Sequence, residues 1–480
     1  MFLFKKNLDD SFFDDINGHR LDKYQRKVLL DNSNHLLVVA GAGSGKTLTI
    51  VGKVKYLIEK LGYNKKEILC LSFTNETVNN LKEKLNYDVD VYTFHKLALE
   101  IIRKKDNFRI AQDNLLEYIV NEYFYSYVNI DYLKEYFSLE YEDILSSKSF
   151  SILKMNIITF IRRYKCSNLS VKDIKYKILN TINEKEKIFL IFAFEILYLY
   201  EEEKRSIKKI DFDDMIILAT NIVKYEEFKY RYIIIDEYQD ISPIRFNLVK
   251  SILEVTRSHL MCVGDDYQSI YGFSGSNIKL FINFFNYFRG ARRIDIKNTY
   301  RNSYELIKAS VGFIKKNPYQ LRKNIHATFF YKYPVVFVYY EDDYLKTYQD
   351  LLNYLYLEDE REVMVLARYN KDLDEVRERE VKGINIKYLT VHMSKGLEAD
   401  NVIILNMSNS YLGFPSKIKD DFLVSLLNNN LEEIPYAEER RLFYVALTRT
   451  RKRVYLLIPR NNPSEFIKEI RKDAVELLLN

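Results

Sequence analysis

Four short segments, residues 35–40, 68–73, 232–235 and 260–263, are apolar at successive positions rather than at alternate ones. A strand buried on both faces reads this way, whereas a strand facing water on one side alternates. Residues 47–61 and 75–85, which follow the first two segments, carry apolar side chains at helical spacing. Strands alternating with helices predict a parallel sheet with crossover helices. A second set of strand-like runs, at 362–367, 384–391, 401–405 and 453–458, predicts another α/β layer beyond residue 290. No internal repeat is visible in the residues.

The middle of the chain has a different texture. Residues 63–242 contain neither glycine nor proline over 180 positions, where an average usage of about 12% predicts roughly 20. Without such breakers, long helices are expected. Within this stretch, residues 111–200 mix apolar and charged side chains at helical spacing, as at Leu115, Leu116, Ile119, Val120 and Tyr123, which predicts a mostly helical subdomain.

A chain of 480 residues, 47% hydrophobic and 29% charged, is globular, has room for about three domains, and is neither disordered nor fibrous. Seventy-three Lys and Arg against 67 Asp and Glu leave a net charge of +6, too small an excess to establish nucleic-acid binding by itself. Cys70, Cys166 and Cys262 stand 96 residues apart, which excludes a C-x-x-C metal or redox pair. They are expected to be reduced, with Cys70 and Cys262 in the core. Residues 1–10 lack the apolar run of a signal peptide, and the most apolar stretch, 188–200, is 13 residues long with Glu195 inside it. That is short of the ~20 needed to cross a bilayer. A soluble, cytoplasmic protein with no membrane partner is the expectation.

Ala40-Gly41-Ala42-Gly43-Ser44-Gly45-Lys46-Thr47 follows an apolar strand and opens a helix, the context that the phosphate-loop motif G-x-x-x-x-G-K-[ST] requires. Glycines let such a loop curl until its N–H groups face phosphate oxygens at a helix N-terminus. Lys46 is then expected to reach the β and γ phosphates, and Thr47 to hold Mg²⁺. Ile233-Ile234-Ile235-Asp236-Glu237 ends a buried strand with two carboxylates. Asp236 suits the metal, and Glu237, pointing elsewhere, suits a general base for the attacking water. An isolated Asp-Glu is more often an acidic turn, but beside a phosphate loop the catalytic reading prevails. ATP and Mg²⁺ are the expected cofactors.

Asp236-Glu237-Tyr238-Gln239-Asp240, read beside Val263-Gly264-Asp265-Asp266-Tyr267-Gln268-Ser269-Ile270-Tyr271, resembles motifs II and III of superfamily 1 DNA helicases of the UvrD/Rep type. The resemblance continues in order. Residues 21–25 are similar to the Q motif, Phe73-Thr74-Asn75 to motif Ia, Thr93-Phe94-His95 to motif Ib and Thr299-Tyr300-Arg301 to motif IV. Leu389 to Glu398, including His392-Met393-Ser394-Lys395-Gly396, resembles motif V, and Glu438-Glu439-Arg440-Arg441 through Arg449 resembles motif VI. Phe273-Ser274-Gly275, Ala367-Arg368-Tyr369 and Gly413-Phe414-Pro415 are most similar to the helicase IV branch.

The resemblance implies an α/β protein of two RecA-like P-loop motor domains with parallel sheets, a helical 1B insertion and no 2B domain. Its divisions are residues 1–100 and 209–288 for domain 1A, 101–208 for 1B and 289–480 for 2A. Only 20 residues, 369–388, separate Arg368 from Leu389, where a 2B domain of ~100 residues is inserted in larger relatives. It also implies that the glycine-rich residues Gly41, Ala42, Gly43, Ser44 and Gly45 cradle ATP, that Gln25 reads adenine and that Tyr300 stacks on it. Gln268 would couple the γ-phosphate to the DNA track, Arg301 and Arg449 would be arginine fingers from the second motor domain, and Glu398 would contact the nucleotide or relay its state. DNA contacts fall on Phe73, Thr74, Asn75, His95, Tyr271, Phe273 and His392.

The implied activity is that of an ATP-dependent DNA helicase and single-strand translocase with 3′ to 5′ polarity. Single-stranded DNA and its junctions with duplex are the implied partners, with a nuclease, repair or defence protein beside them. Alternatives are an RNA helicase, or a non-unwinding DNA-stimulated ATPase subunit of a nuclease or defence complex. The 31 residues after Arg449 are too few for a fused nuclease domain, so any cleavage is expected from a partner.

Two departures stand out. Leu48 follows Thr47 where many relatives have Arg, and Ser274 stands where many have Arg after the motif III aromatic. His95 and His392 lack a metal-ligand partner three or four residues on, Asp211-Phe212-Asp213-Asp214 reads as a helix-capping turn rather than a metal cluster, and residues 201–209 read as a solvated helix end.

Overall fold

The protein is described from a computed structural model that covers residues 11–103, 109–341, 343–417, 427 and 434–479. Residues 1–10, read above for a signal peptide, lie outside the described residues. Strands β1 (His35–Ala40), β2 (Ile68–Ser72), β3 (Asp90–Thr93), β4 (Tyr232–Ile235), β5 (His259–Gly264) and β6 (Arg292–Ile296) form one sheet in the order β3-β2-β4-β5-β1-β6. Every neighbouring pair is parallel. Successive residues of β1 serve opposite faces: Leu37 and Val39 join a core with Ile216 and Leu248, while Leu36 and Val38 join one with Ile50 and Leu81. This two-sided burial is why the strand reads as an unbroken apolar run.

A second sheet follows, of β7 (Val335–Tyr340), β8 (Glu362–Ala367), β9 (Asn385–Thr390), β10 (Ala399–Ile404), β11 (Thr450–Pro459) and β12 (Val475–Glu476). Its order is β9-β8-β10-β11-β7-β12, again parallel throughout. Strand for strand, this is the order of the first sheet. A repeated architecture thus lies under residues that show no repeat, because a buried parallel strand demands an apolar run and little else. The first sheet also reaches Ile296 through β6, past the expected end of its second part at residue 288.

Helices from Leu115–Glu122 to Glu184–Ser206 build a separate lobe with its own core, including Val120, Phe124, Ile157, Phe160, Phe189 and Phe192. The chain enters and leaves it through a short ladder, Arg109–Ile110 beside Lys209–Ile210. Asp211 caps the helix Phe212–Ile222 and Asp214 bonds back to the Asp211 N–H, as the capping reading expects. The reading of 201–209 as solvated needs correction at Lys204, which is buried and paired with Glu201, Asp211 and Asp214. Lys165 joins the same three acids, so ammonium groups fill what would otherwise be a cation site. All three cysteines are buried thiols. Among the described residues, no helix is long and apolar enough to cross a membrane.

Candidate functional site

The loop between β1 and the helix Lys46–Glu59 turns through two glycines at positive φ, Gly43 at 67° and Gly45 at 78°. Both are closely covered. A side chain on Gly43 would come 2.4 Å from Arg301 Cβ, and one on Gly45 would come 2.7 Å from Gln25 Nε2. The segment that crosses from β6 towards the second sheet is bonded directly to this loop: Thr299 Oγ1 donates to Ala42 O at 2.7 Å and the Tyr300 N–H to Gly43 O at 2.9 Å. Ser44 Oγ is buried and, among the described residues, has no hydrogen-bond partner. An orphaned hydroxyl inside a glycine cradle at a helix N-terminus fits a phosphate oxygen.

The Gln25 carboxamide is buried against the loop. Its Nε2 donates to Ser44 O at 3.4 Å and its Oε1 accepts from the Asp22 N–H at 2.9 Å. Tyr300 is half exposed and donates to Asp22 Oδ2 at 3.0 Å, which leaves a ring face open beside the loop.

β4 delivers the two carboxylates. Glu237 sits at a φ of 50°, a left-handed conformation that turns its side chain back towards Lys46, whose Nζ lies 3.2 Å from Glu237 Oε1. Strain of this kind persists where surroundings over-determine it. Gln239 Nε2 donates to Glu237 Oε2 at 2.5 Å, and the Glu237 N–H to Asp236 Oδ1 at 2.9 Å. Burial alone would raise the Glu237 carboxyl, but Lys46 and Lys395 hold it below the ordinary range. Asp236 moves the opposite way, raised by burial and then by the charge of Glu237. Among the described residues Asp236 makes no ion pair, and a buried carboxylate short of a cation fits a magnesium ligand, with Thr47 at the start of the facing helix as its partner.

From the second sheet comes Arg449, just after the helix Ala437–Leu447 and 1% exposed. Its guanidinium donates to Val445 O, Leu397 O and, from Nη2 at 3.2 Å, to Gln268 Oε1. All are neutral acceptors, and among the described residues it has no carboxylate partner. Burial, and then Arg301, draw its pKa down to about 9, which leaves it charged at neutral pH. A buried cation without a counter-ion is built to meet an anion. Arg301 lies on the crossing segment rather than in the second sheet, and pairs with Glu398 at 2.5 Å; Arg451 holds the other oxygen of Glu398 at 3.3 Å.

The expected DNA contacts form two groups. Phe73 packs against Phe94 with the rings tilted by 45° and their centres 5.1 Å apart, the Arg245 guanidinium lies 5.5 Å from its ring, and Thr74 caps the exposed start of the helix Asn75–Leu85. His95 packs on Phe212 at 5.4 Å in this group. In the second group Phe273, 42% exposed, meets His392 edge-on at 5.2 Å, and Tyr271 donates to His392 O at 3.2 Å. A cavity of about 460 Å³ opens nearby, lined by residues including Asn370, Arg377, Thr390 and Met393.

Sequence reasoning passed over Lys395 and Arg245. Lys395 Nζ bridges Asp240 Oδ2 at 2.5 Å and Gln268 O at 2.8 Å, tying the second sheet to the first. It stood inside a quoted motif, but nothing in the residues named its partner, and Arg245 had no signal at all.

A family model described as the UvrD/REP helicase N-terminal domain matches residues 21–289. Among curated proteins, the chain is 27% identical to DNA helicase IV of Escherichia coli over 96% of this chain and 71% of that protein. It is 28% identical to the ATP-dependent DNA helicase Rep of the same organism, over 64% of this chain and 45% of Rep. A probable DNA helicase II homolog of Mycoplasma capricolum is also 28% identical, over 64% of this chain and 42% of its own length. The chain thus spans less than half of the Rep and helicase II relatives.

Proposed function

We infer from one premise: this chain belongs to the UvrD/REP helicase family. On that premise we propose an ATP-hydrolysing DNA motor that moves 3′ to 5′ along single strands and works at their junctions with duplex. The observation that carries the reading is the run of contacts from Lys46 of the phosphate loop to Glu237 and on, through Gln239, Asp265 and Gln268, to the carboxylate-free Arg449.

In this mechanism the loop N–H groups and Lys46 bind the phosphates, displacing Lys46 from Glu237. Glu237 takes the proton of the attacking water as its oxygen bonds to the γ-phosphorus and the bond to the ADP oxygen breaks. Arg301 and Arg449 neutralise charge on the transferring phosphoryl group. Asp236 and Thr47 would hold a magnesium ion, which supplies further charge neutralisation when bound. Gln25 and Tyr300 receive the base. Gln268, bonded to Arg449 and lying next to the Ser269–Tyr271 loop, passes the state of the phosphate site to the aromatic DNA contacts.

The helical lobe is the 1B insertion. The link between β8 and β9, residues 368–384, is too short for a 2B domain of ~100 residues. Translocation as a monomer survives that absence, and efficient unwinding falls to a nuclease, repair or defence partner or to the 1B helices. The test is steady-state ATP hydrolysis titrated with single-stranded DNA and with RNA of the same base order, beside translocation on end-labelled strands. DNA is expected to stimulate turnover and to be traversed. Stimulation by RNA alone, or none by either, overturns the proposal.

A further inference from the structure

Motif III begins with two consecutive aspartates, Asp265 and Asp266, that are both fully buried. Side by side and buried, two carboxylates repel unless a cation intervenes. The cation is Lys323, from the segment after the helix Tyr304–Ile314 and outside every motif quoted above. Its ammonium contacts Asp265 Oδ1 directly, lies 2.6 Å from Asp266 Oδ1 and sits 3.4 Å from the centre of the Tyr267 ring. Neighbours in the same segment grip Asp266 as well: the Leu321 N–H donates to its Oδ2 at 2.8 Å and Gln320 Nε2 to its carbonyl at 3.1 Å.

Besides the Tyr267 N–H, which donates to its Oδ1 at 3.2 Å, Asp265 has two side-chain partners that lead to the phosphate site. Its Oδ2 accepts from Gln268 Nε2 at 2.6 Å, while Gln268 Oε1 accepts from Arg449. Its backbone N–H donates to Gln239 Oε1 at 2.9 Å, and Gln239 Nε2 donates to Glu237. An ionised Asp265 is acceptor-only and Arg449 donor-only, so the Gln268 carboxamide has one orientation open to it. A displaced Asp265 would remove that constraint.

We propose that Lys323 is a positioning residue for ATP hydrolysis: it holds the Asp265 carboxylate in place, and through Asp265 sets Gln268 against Arg449 and Gln239 against Glu237. The inference rests on the catalytic reading of Gln268 and Glu237 above and adds a residue to it.

The test compares Lys323→Met, which keeps length and loses charge, with Lys323→Arg. Lys204→Met, in the helical lobe, controls for loss of a buried lysine remote from the phosphate site. With saturating single-stranded DNA, Lys323→Met is expected to lower kcat about ten- to a hundredfold with the KM for ATP changed less than about threefold. Lys323→Arg should recover part of kcat, and Lys204→Met should lower the unfolding midpoint with kcat unchanged. A folded Lys323→Met with kcat within about twofold of wild type overturns the proposal. If Lys323→Met does not fold, Lys323→Met with Asp266→Asn, which removes one buried charge of each sign, is judged by the same limits. Gln268→Ala separates the two readings. Normal turnover there refutes the role of Gln268 itself, whereas a defect there beside a normal Lys323→Met refutes only the role of Lys323.

Discussion

Replacing Gly43 by alanine tests whether the phosphate loop and the crossing segment are one unit. Gly43 has a φ of 67°, and an L side chain in that region costs roughly 1–2 kcal/mol. The new methyl would also fall 2.4 Å from Arg301 Cβ and 2.9 Å from Thr299 Oγ1, so the crossing segment must move. Movement breaks the Thr299 to Ala42 and Tyr300 to Gly43 hydrogen bonds, each worth about 0.5–1.5 kcal/mol.

Gly62 is the reference: its φ is 70° and nothing lies within 4 Å of an added Cβ. Backbone strain and the loss of glycine's unfolded-state freedom are therefore shared by Gly43→Ala and Gly62→Ala and cancel in their difference. What remains is the contact itself, about 1–3 kcal/mol, with Gly43→Ala the less stable. Urea unfolding of both variants measures the difference, and ATP titration of turnover should show a raised KM in Gly43→Ala alone. Equal unfolding midpoints with equal KM would refute the reasoning, since the loop and Arg301 would then not be in contact.

Lys46→Ala and Glu237→Gln should both abolish turnover, but only Glu237→Gln should keep nucleotide binding, because it removes the base and leaves the cradle. Equilibrium binding beside steady-state hydrolysis checks this, and normal turnover in either variant defeats the assignment. Phe73→Ala and Phe273→Ala should each weaken single-strand affinity by ~1–3 kcal/mol while sparing DNA-free hydrolysis. Anisotropy titrations that show no change in either would refute the stacking role of both rings. Burial, and then Arg245, hold the His95 imidazole down at about 4, so its contribution to stability is complete above 6.5 and lost as the pH falls towards 4. At pH 5 wild type should have lost about 2 kcal/mol more than His95→Gln, relative to pH 8, in parallel urea titrations; identical pH profiles would falsify the burial argument.

What could be read from the residues alone was what lies close together along the chain. The phosphate loop and the Asp236-Glu237 pair are contiguous, and β1, β4 and β8 have the bounds expected from their apolar runs. β6 escaped because it is an edge strand whose Arg-Arg-Ile-Asp-Ile residues are mostly half buried, so charge masks its pattern. Lys323 and Lys395 were illegible for another reason. Each matters for the carboxylates that folding brings to it from 58 and 155 residues away, and no local spacing encodes such a meeting. Lys204 was misread because a charged run at a helix end usually meets water, and here a second lysine and three acids met it instead.

The two sheets share a strand order but not an inventory of charge at the equivalent turn. After β1 the chain makes a glycine loop whose following helix presents bare N–H groups. After β7, the strand in the same place, Glu341-Asp342-Asp343-Tyr344 follows with no glycine, and the Asp343 carboxylate accepts from the Lys346 N–H at the start of the helix Tyr344–Leu357. That helix end is already answered by an anion of its own, and a phosphate brought there would meet the Asp343 carboxylate. Two sheets of one strand order therefore present opposite charge at the equivalent turn, and only the first is suited to an anion. Among the described residues only the first sheet carries a glycine phosphate loop, so on the proposed reading nucleotide binding is expected at that sheet and not at the second.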